Sequence, residues 1–274
     1  MRITTWNVNS VRLRLEGLKR LAKTVRPDVL CLQEIKVTNE EFPAKSLARL
    51  GYVHQLLHGQ PGYHGVAICS KLPFSNPRRL DWCAKVDCRH VAVELAGGIE
   101  LHDLYVPAGG DEPVREVNPK FAHKLDFLAE LTDWFASRDA AVDRAVLVGD
   151  LNIAPLETDV WSHKQLLKVV SHTPIEVEAL SALQASRGWV DAVRHFVPPE
   201  ERLYTWWSYR ARDWSASDRG RRLDHVWITP RLLPQLRHAE VTRAARGWRR
   251  PSDHVPVTID LDVSVPGIDG GSGG

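Results

Sequence analysis

No apolar run in this 274-residue chain approaches the roughly 20 residues that a bilayer-crossing helix requires, so no membrane-spanning helix is expected. Cysteine is scarce, and Cys31, Cys69, Cys83 and Cys88 contain no CxxC spacing of the kind that zinc ribbons and thiol redox motifs use. Cys31 and Cys69 sit inside apolar runs and read as small core residues. The first residues enter a strand directly, which leaves no room for a secretion signal. All four thiols are therefore read as reduced, and a cytoplasmic location is expected. No internal repeat and no Pro/Gly/Ser linker divides the chain, so residues 1–263 are expected to form a single domain. Residues 264–274 (SVPGIDGGSGG) are low in complexity and are expected to be a disordered tail.

Net charge is also nearly absent, at +2, but the charge is unevenly spread. Residues 202–250 hold 12 Arg, no Lys and four acidic residues, a local net of +8 against −6 for the rest of the chain. One basic face on a mildly acidic body points to a polyanionic partner, with a merely solvated Arg-rich surface as the alternative.

Strands and helices are mixed without the strict alternation of a Rossmann or barrel order. Buried strands are read at 2–7, 29–33 and 145–148, and further strands at 52–57, 65–70, 90–95, 99–105, 225–228, 239–242 and 255–261. Ser10 is placed as the cap of a helix running to about residue 25. An amphipathic helix spans 119–135, and shorter ones are read at 44–50 and 178–187. The expected fold is α/β: two packed, mostly antiparallel β-sheets flanked by helices, a four-layer sandwich.

Five short stretches end apolar runs with oxygen or imidazole ligands: TTWNVNS from Thr4, LCLQEIK from Leu30, LVGDLNIAP from Leu147, RRLDHVW from Arg221 and PSDHVP from Pro251. Brought together they would make a hard, oxygen-rich site suited to Mg²⁺ or Mn²⁺ and a phosphate ester. Asp150 and Asn152 are two apart, so in extended backbone they project to one side and can orient a water and hold a phosphate oxygen; a plain turn is the alternative. His254 beside Asp253 is a candidate proton carrier or clamp, with Asp224 as the remote carboxylate that would orient its imidazole. Glu34 closes an apolar strand, where an unpartnered carboxylate is costly, so a metal or Lys36 is expected to answer it. Tyr204, Trp206, Trp207, Tyr209 and Trp214 interleave with Arg202, Arg210 and Arg212. That pattern fits nucleic-acid contact, although at least half of those rings are expected in the core.

Taken together, PDVLCLQEIK, GYHGVAI, LYVPAGG, GDLNIAP, DRGRRLDHVW and PSDHVPV resemble the exonuclease III family of abasic-site endonucleases, within the endonuclease/exonuclease/phosphatase superfamily. The resemblance covers nearly the whole chain, and LQE followed by Lys36 favours this branch over the phosphoinositide phosphatases. It implies a Mg²⁺-dependent enzyme, with Mn²⁺ as a substitute, that acts as a monomer on duplex DNA carrying abasic sites or damaged 3′ ends. By resemblance, Glu34 is the principal metal ligand and Asn7 supports it, with Asn9, Asp150, Asn152, Asp253 and His254 around the metal. Asp150 would serve the attacking water, Asn152 the scissile phosphate, Tyr105 the phosphate or leaving oxygen, and the His254–Asp224 pair the phosphate. Arg89, Trp206, Tyr209, Arg210, Arg219 and Arg222 are the implied DNA contacts, with Trp206 and Arg222 shaping a pocket too small for a base. The chain departs from some relatives at Asn9, where Asp is found, at Asp218, where Asn is frequent, and at Trp207, where Phe occurs. A phosphomonoesterase on the same core and a catalytically dead DNA-binding protein are the competing classes. The Arg-aromatic segment argues against the first, and the intact set of acids against the second.

Overall fold

The computed structural model describes residues 1–138 and 143–263; the expected disordered tail lies outside the described residues. The first half of the chain runs β1 (Arg2–Asn7), α1 (Leu15–Thr24), β2 (Val29–Gln33), α2 (Ala44–Ala48), β3 (His54–His58), β4 (Val66–Ser70), β5 (Ser75–Arg78), β6 (His90–Leu95) and β7 (Ile99–Tyr105). It continues with α3 (Pro119–Ala136), β8 (Ala145–Asp150), α4 (His163–Leu166), α5 (Pro174–Ala185), β9 (Val190–Asp191), β10 (Trp206–Trp207) and α6 (Trp214–Ser217). The last strands are β11 (Gly220–Arg221), β12 (Asp224–Ile228), β13 (Leu236–Val241) and β14 (Val257–Leu261).

Two six-stranded sheets result, ordered β13-β14-β1-β2-β4-β3 and β5-β6-β7-β8-β12-β9, with β10 and β11 as a separate ribbon. Every pairing is antiparallel except one at the centre of each sheet, β1 with β2 and β7 with β8. Parallel neighbours end on the same side. The two central pairs therefore bring Asn7, Gln33, Tyr105 and Asp150 to C-terminal strand ends in register, Asn7 opposite Gln33 and Tyr105 opposite Asp150.

The period of two along each strand decides what faces the space between the sheets. Ile3, Val29 and Cys31 of one sheet meet Leu101, Val146, Val148, Val226 and Ile228 of the other in the inter-sheet core. Extending the same alternation by one step puts Asn7, Tyr105, Asp150 and Asp224 at the rim of that core. The opposite faces carry the outer layers. Leu18, Leu21 and Leu47 of α1 and α2 cover Leu30 and Leu32, while Phe127, Leu131 and Leu183 of α3 and α5 cover Leu147 and Trp227. This is the expected four-layer arrangement.

Several boundaries differ from expectation for local reasons. Ser10 does not cap a helix: it sits at φ 94°, and the chain turns before α1 begins at Leu15. α5 starts at Pro174 rather than 178, because Thr173 and Glu176 form a capping box with proline in the first turn. β5 (SNPR) carries no apolar signal and lies at a sheet edge, where its Pro77 is tolerated.

Candidate active site

Gly149 shows how closely the rim is built. It has φ 142°, and a Cβ there would lie 1.9 Å from the Leu104 carbonyl oxygen of the neighbouring strand. Only glycine lets β8 approach β7 so tightly and deliver Asp150 beside Tyr105. Past Asp150 the chain enters left-handed backbone at Asn152 (φ 54°), and the Asp150 Oδ1 accepts the Asn152 amide at 2.9 Å. Asn152 Nδ2 donates to Val106 O at 2.9 Å, leaving its second hydrogen for an incoming oxygen. The side chains of Asp150 and Asn152 therefore meet through a turn, not through extended backbone.

Asn7 Nδ2 donates to Glu34 Oε1 at 2.8 Å and to Asp150 Oδ2 at 2.9 Å, clamping one carboxylate from each sheet. Its Oδ1 accepts the Asn9 amide at 3.0 Å, so Asn7 positions ligands and is itself fully used. Glu34 Oε2 pairs with Lys36 Nζ at 2.8 Å, the partner expected from sequence. Asn9 reaches Asp253 Oδ1 at 2.9 Å and also accepts from Lys36. Asp253 Oδ2 accepts the Trp206 indole at 3.0 Å.

His254 Nδ1 lies 2.8 Å from Asp224 Oδ2, and its Nε2 lies 3.6 Å from Asp150 Oδ2. Asp224 Oδ2 also accepts from Thr205 Oγ1 at 2.6 Å, while its Oδ1 is buried without a partner. Burial opposes charge on His254, but Asp224 and Asp150 outweigh it and hold its pKa up at about 10. Burial, together with Asp224 and Glu34, raises Asp150 to about 7 against the pull of His254. Burial also works against ionised Glu34, yet Lys36 and Asn7 keep its pKa below the ordinary value. Tyr105 is pushed well up by burial and then by Glu34 and Asp150, so its hydroxyl stays a donor. The rim thus presents a basic site near neutrality, a fixed cation and a protonated phenol.

Beside these groups opens a cavity of about 710 Å³, floored by Glu34, Tyr105, Asp150, Asn152 and His254 and walled by Trp161 and Trp206. The cavity spans both the floor of charged groups and the aromatic walls. Arg219 stacks on Trp161 at 4.6 Å, and exposed Arg210 lies on the same cavity. Tyr209 is 49% exposed, with its hydroxyl donating to Pro251 O at 2.8 Å. Arg89 is mostly buried beneath Tyr105, its guanidinium 5.0 Å from that ring, and opens on an adjoining cleft with His64, Lys85, Lys120 and His123.

Arg222 requires correction as a DNA contact. It is 2% exposed and its guanidinium is held by Asp159 at 2.9 Å and Asp191 at 2.6 Å. Its neighbour Arg221, which sequence reasoning passed over, lies on the cavity instead. Successive residues of extended backbone face opposite ways, so the choice between them depends on register. Trp161 was passed over too. Of the five aromatics between 204 and 214, only Tyr204 and Trp207 are buried, fewer than expected.

Residues 4–254 match the endonuclease/exonuclease/phosphatase family. The chain is 29% identical to an exodeoxyribonuclease III of Haemophilus influenzae, over 95% of this chain and 100% of that one. It is 31% identical to the DNA repair nuclease APEX1 of Danio rerio, over 96% of this chain and 83% of the relative. Among solved structures, an AP endonuclease of Archaeoglobus fulgidus superposes with a TM-score of 0.87 at 32% identity, covering 96% of this chain and all of that one. The 3′ phosphatase NExo of Neisseria, solved bound to a product DNA hairpin, has the same TM-score, identity and coverage. Matching nearly end to end in sequence and fold, the chain belongs to the endonuclease/exonuclease/phosphatase family, in the exonuclease III branch that holds these DNA repair nucleases.

Proposed function

We propose that the protein is a metal-dependent DNA repair phosphodiesterase that incises duplex DNA on the 5′ side of abasic sites, leaves a 3′ hydroxyl, and clears 3′ ends. The relatives named as exodeoxyribonuclease III, APEX1 and 3′ phosphatase support this reading. The observation that carries it is lateral pairing: Trp206, a wall of the cavity, sits directly opposite His254 on the backbone. A sugar lodged against Trp206 would hold its own phosphate at His254. The reading assigns the chain to a reducing cytoplasm as a monomer; the four free cysteines fit that compartment, and among the described residues no helix is long and apolar enough to cross a membrane.

The residues fit a hard divalent cation. Carboxylate oxygens of Glu34 and Asp150 lie within 4.8 Å of each other, with a ring nitrogen of His254 inside the same radius. Burial first, and then Asp224 and Glu34, raise the pKa of Asp150, and Asp224 Oδ1 is buried without a partner, so a cation here would meet unanswered negative charge. Glu34 and Asp150 would hold Mg²⁺ or Mn²⁺, with Asn7 fixing both carboxylates. Asn9, Asn152 and Asp253 would act from outside that pair. The bound cation would supply neutralisation of phosphoryl charge and polarisation of the leaving oxygen.

The chain's own groups complete the reaction. Asp150, held by the Asn7 amide and facing His254, would accept the proton of the attacking water. The imidazolium of His254, kept charged by Asp224, and the free amide hydrogen of Asn152 bind the phosphoryl oxygens. Tyr105 donates to a phosphate or leaving oxygen. Arg210, Arg219 and Tyr209 grip the flanking backbone, and Arg89 contributes from the adjoining cleft. Selectivity follows from two terms: an abasic nucleotide leaves the helix without losing base stacking, and it brings no base that must fit beside Trp206.

The test compares internal incision of matched duplexes with and without one abasic site. Much faster cutting 5′ to the abasic site, with Asp150→Asn slowing turnover at least about 10²-fold while still binding, is the expected result. Equal internal cutting of intact and abasic duplex would make this a general nuclease and overturn the reading.

A further inference from the structure

The row that joins His254 to Trp206 extends one residue further. Trp206 pairs on its other side with Arg221 across the β10–β11 ribbon. Residues paired across an antiparallel ladder put their side chains on one face, about 5 Å apart. His254, Trp206 and Arg221 therefore stand in line, from the phosphate-handling floor into the cavity that all three border. The Arg221 guanidinium lies across the Trp206 ring, 5.4 Å from its centroid. Trp206 is itself fixed by its indole hydrogen bond to Asp253.

Arg221 is anchored but not used up. Its Nη1 donates to the Val170 carbonyl at 2.9 Å and to Ser171 Oγ at 2.7 Å. Its Nη2 has no hydrogen-bond partner among the described residues. Trp161, Val169, Val170, Trp206 and Leu223 give the cavity its apolar walls, and Ser171, Arg210 and Arg219 also border it. A sugar lodged against Trp206 meets hydrocarbon and indole, with Arg221 as the charged donor lying across that ring.

A deoxyribose that has lost its base differs from a plain tetrahydrofuran ring in one respect. It carries oxygen on C1′, as a hydroxyl in the closed ring and as an aldehyde when open. A guanidinium dehydrated by the entering sugar regains a strong, charge-assisted hydrogen bond only if that oxygen is present. Sites built around such a donor reject analogues that lack the acceptor, because the donor is then left unpaired. An all-apolar pocket has no means of telling the two sugars apart.

We propose that Arg221 is a specificity-determining residue that reads the C1′ oxygen of the baseless sugar, so that the enzyme distinguishes a true abasic site from an abasic analogue lacking that oxygen. The inference rests on the reading that the cavity receives the baseless sugar. It locates the distinction in one side chain that touches the substrate but takes no part in hydrolysis.

The experiment measures kcat/KM on three duplexes: a native abasic site, a tetrahydrofuran site and a recessed 3′ end. Only products ending in a 3′ hydroxyl are scored, since native abasic sites also break by β-elimination. The wild-type enzyme is expected to prefer the native site by about 10- to 100-fold, the size of a hydrogen bond from a charged donor. Arg221→Leu should bring that ratio towards one by losing rate on the native site, and Arg221→Lys should restore part of it. Incision of the tetrahydrofuran duplex shows that each variant is folded. The wild-type ratio alone decides the matter if Arg221→Leu does not fold. A wild-type ratio within about twofold of one overturns the inference, as does an undiminished ratio in Arg221→Leu. Resection of the recessed end with neither abasic duplex cut would overturn the abasic-site reading as well, an outcome distinct from equal cutting of both.

Discussion

His254 Nδ1 sits 2.8 Å from Asp224 Oδ2, and this contact turns the other ring nitrogen towards Asp150, 3.6 Å away. Both members are buried, so the pair fixes the orientation of the imidazole as well as its charge. Removing the Asp224 charge lets burial prevail and lowers the pKa of His254. Asp224→Asn is therefore expected to cut kcat by about 10- to 100-fold, as loss of an orienting carboxylate does elsewhere. It should also make the remaining activity fall as pH rises through the lowered His254 pKa. A pH–rate profile of the variant checks both, and an unchanged profile would remove the pair from the mechanism.

The cation requirement follows from Glu34 and Asp150, which approach each other from different sheets and share one amide, Asn7 Nδ2. EDTA should abolish cleavage, and Mg²⁺ or Mn²⁺ should restore it. Glu34→Ala removes one carboxylate, releases Lys36 from its ion pair and should raise the Mg²⁺ concentration needed for half-maximal activity by about 10-fold or more, on the scale of altered metal sites. A titration of activity against metal measures this directly. Full cleavage in chelator would exclude the cation from the reaction.

Much of this site was legible because strand periodicity and strand ends are local. Asp150 and Tyr105 close runs whose alternate residues, Val148 and Leu101 among them, reach the inter-sheet core. The pairing of Glu34 with Lys36 was legible for the same reason, being two residues apart. What was not legible depends on partners remote in sequence. The choice of Arg221 over Arg222 is settled by Asp159 and Asp191, which capture Arg222 on the far face, and neither is near it in the chain. Trp161 stood outside any motif and enters the cavity only because its amide pairs with the Gly220 carbonyl.

Arg219 and Arg222 give opposite tests. Arg219 is exposed over Trp161 on the cavity rim, so Arg219→Glu should weaken DNA binding and flatten its salt dependence while barely moving the melting temperature. Arg222→Ala should instead leave Asp191 without its guanidinium partner in the interior, with Asp159 keeping only Arg194, and destabilise the fold by about 3–5 kcal/mol. Fluorescence anisotropy with labelled duplex across a salt series, paired with thermal melts, separates the two. A salt-independent affinity of the wild type would mean that the basic segment from 202 to 250 is solvated surface and not a DNA face.

The same buried region sets a dependence of stability on pH. His225 is wholly buried on the outer face of β12, where its Nε2 meets the Ile153 carbonyl at 2.8 Å and its Nδ1 has no partner. Burial, and then the charge of Arg222, depress its pKa from 6.5 to about 4. His90 and His102, packed against each other between β6 and β7, are depressed by burial as well. In the unfolded chain these imidazoles take up protons near their ordinary pKa, whereas in the folded chain His225 stays neutral down to about pH 4. At these sites the unfolded state therefore binds more protons between these limits, and their contribution to stability falls as pH drops from about 6.5 to 4, opposed by Asp150, whose raised pKa makes the folded state take up its proton first. For His225 alone the loss is roughly 3 kcal/mol. Its stabilising contribution is fully present above pH 6.5. Urea unfolding at pH 7.5 and at pH 4.5 measures the change in each protein, and the lower pH should disfavour the wild type more than His225→Gln, whose side chain cannot take up a proton. Equal changes in the two proteins would mean that His225 is already charged in the fold, or that carboxylates alone govern the acid limb.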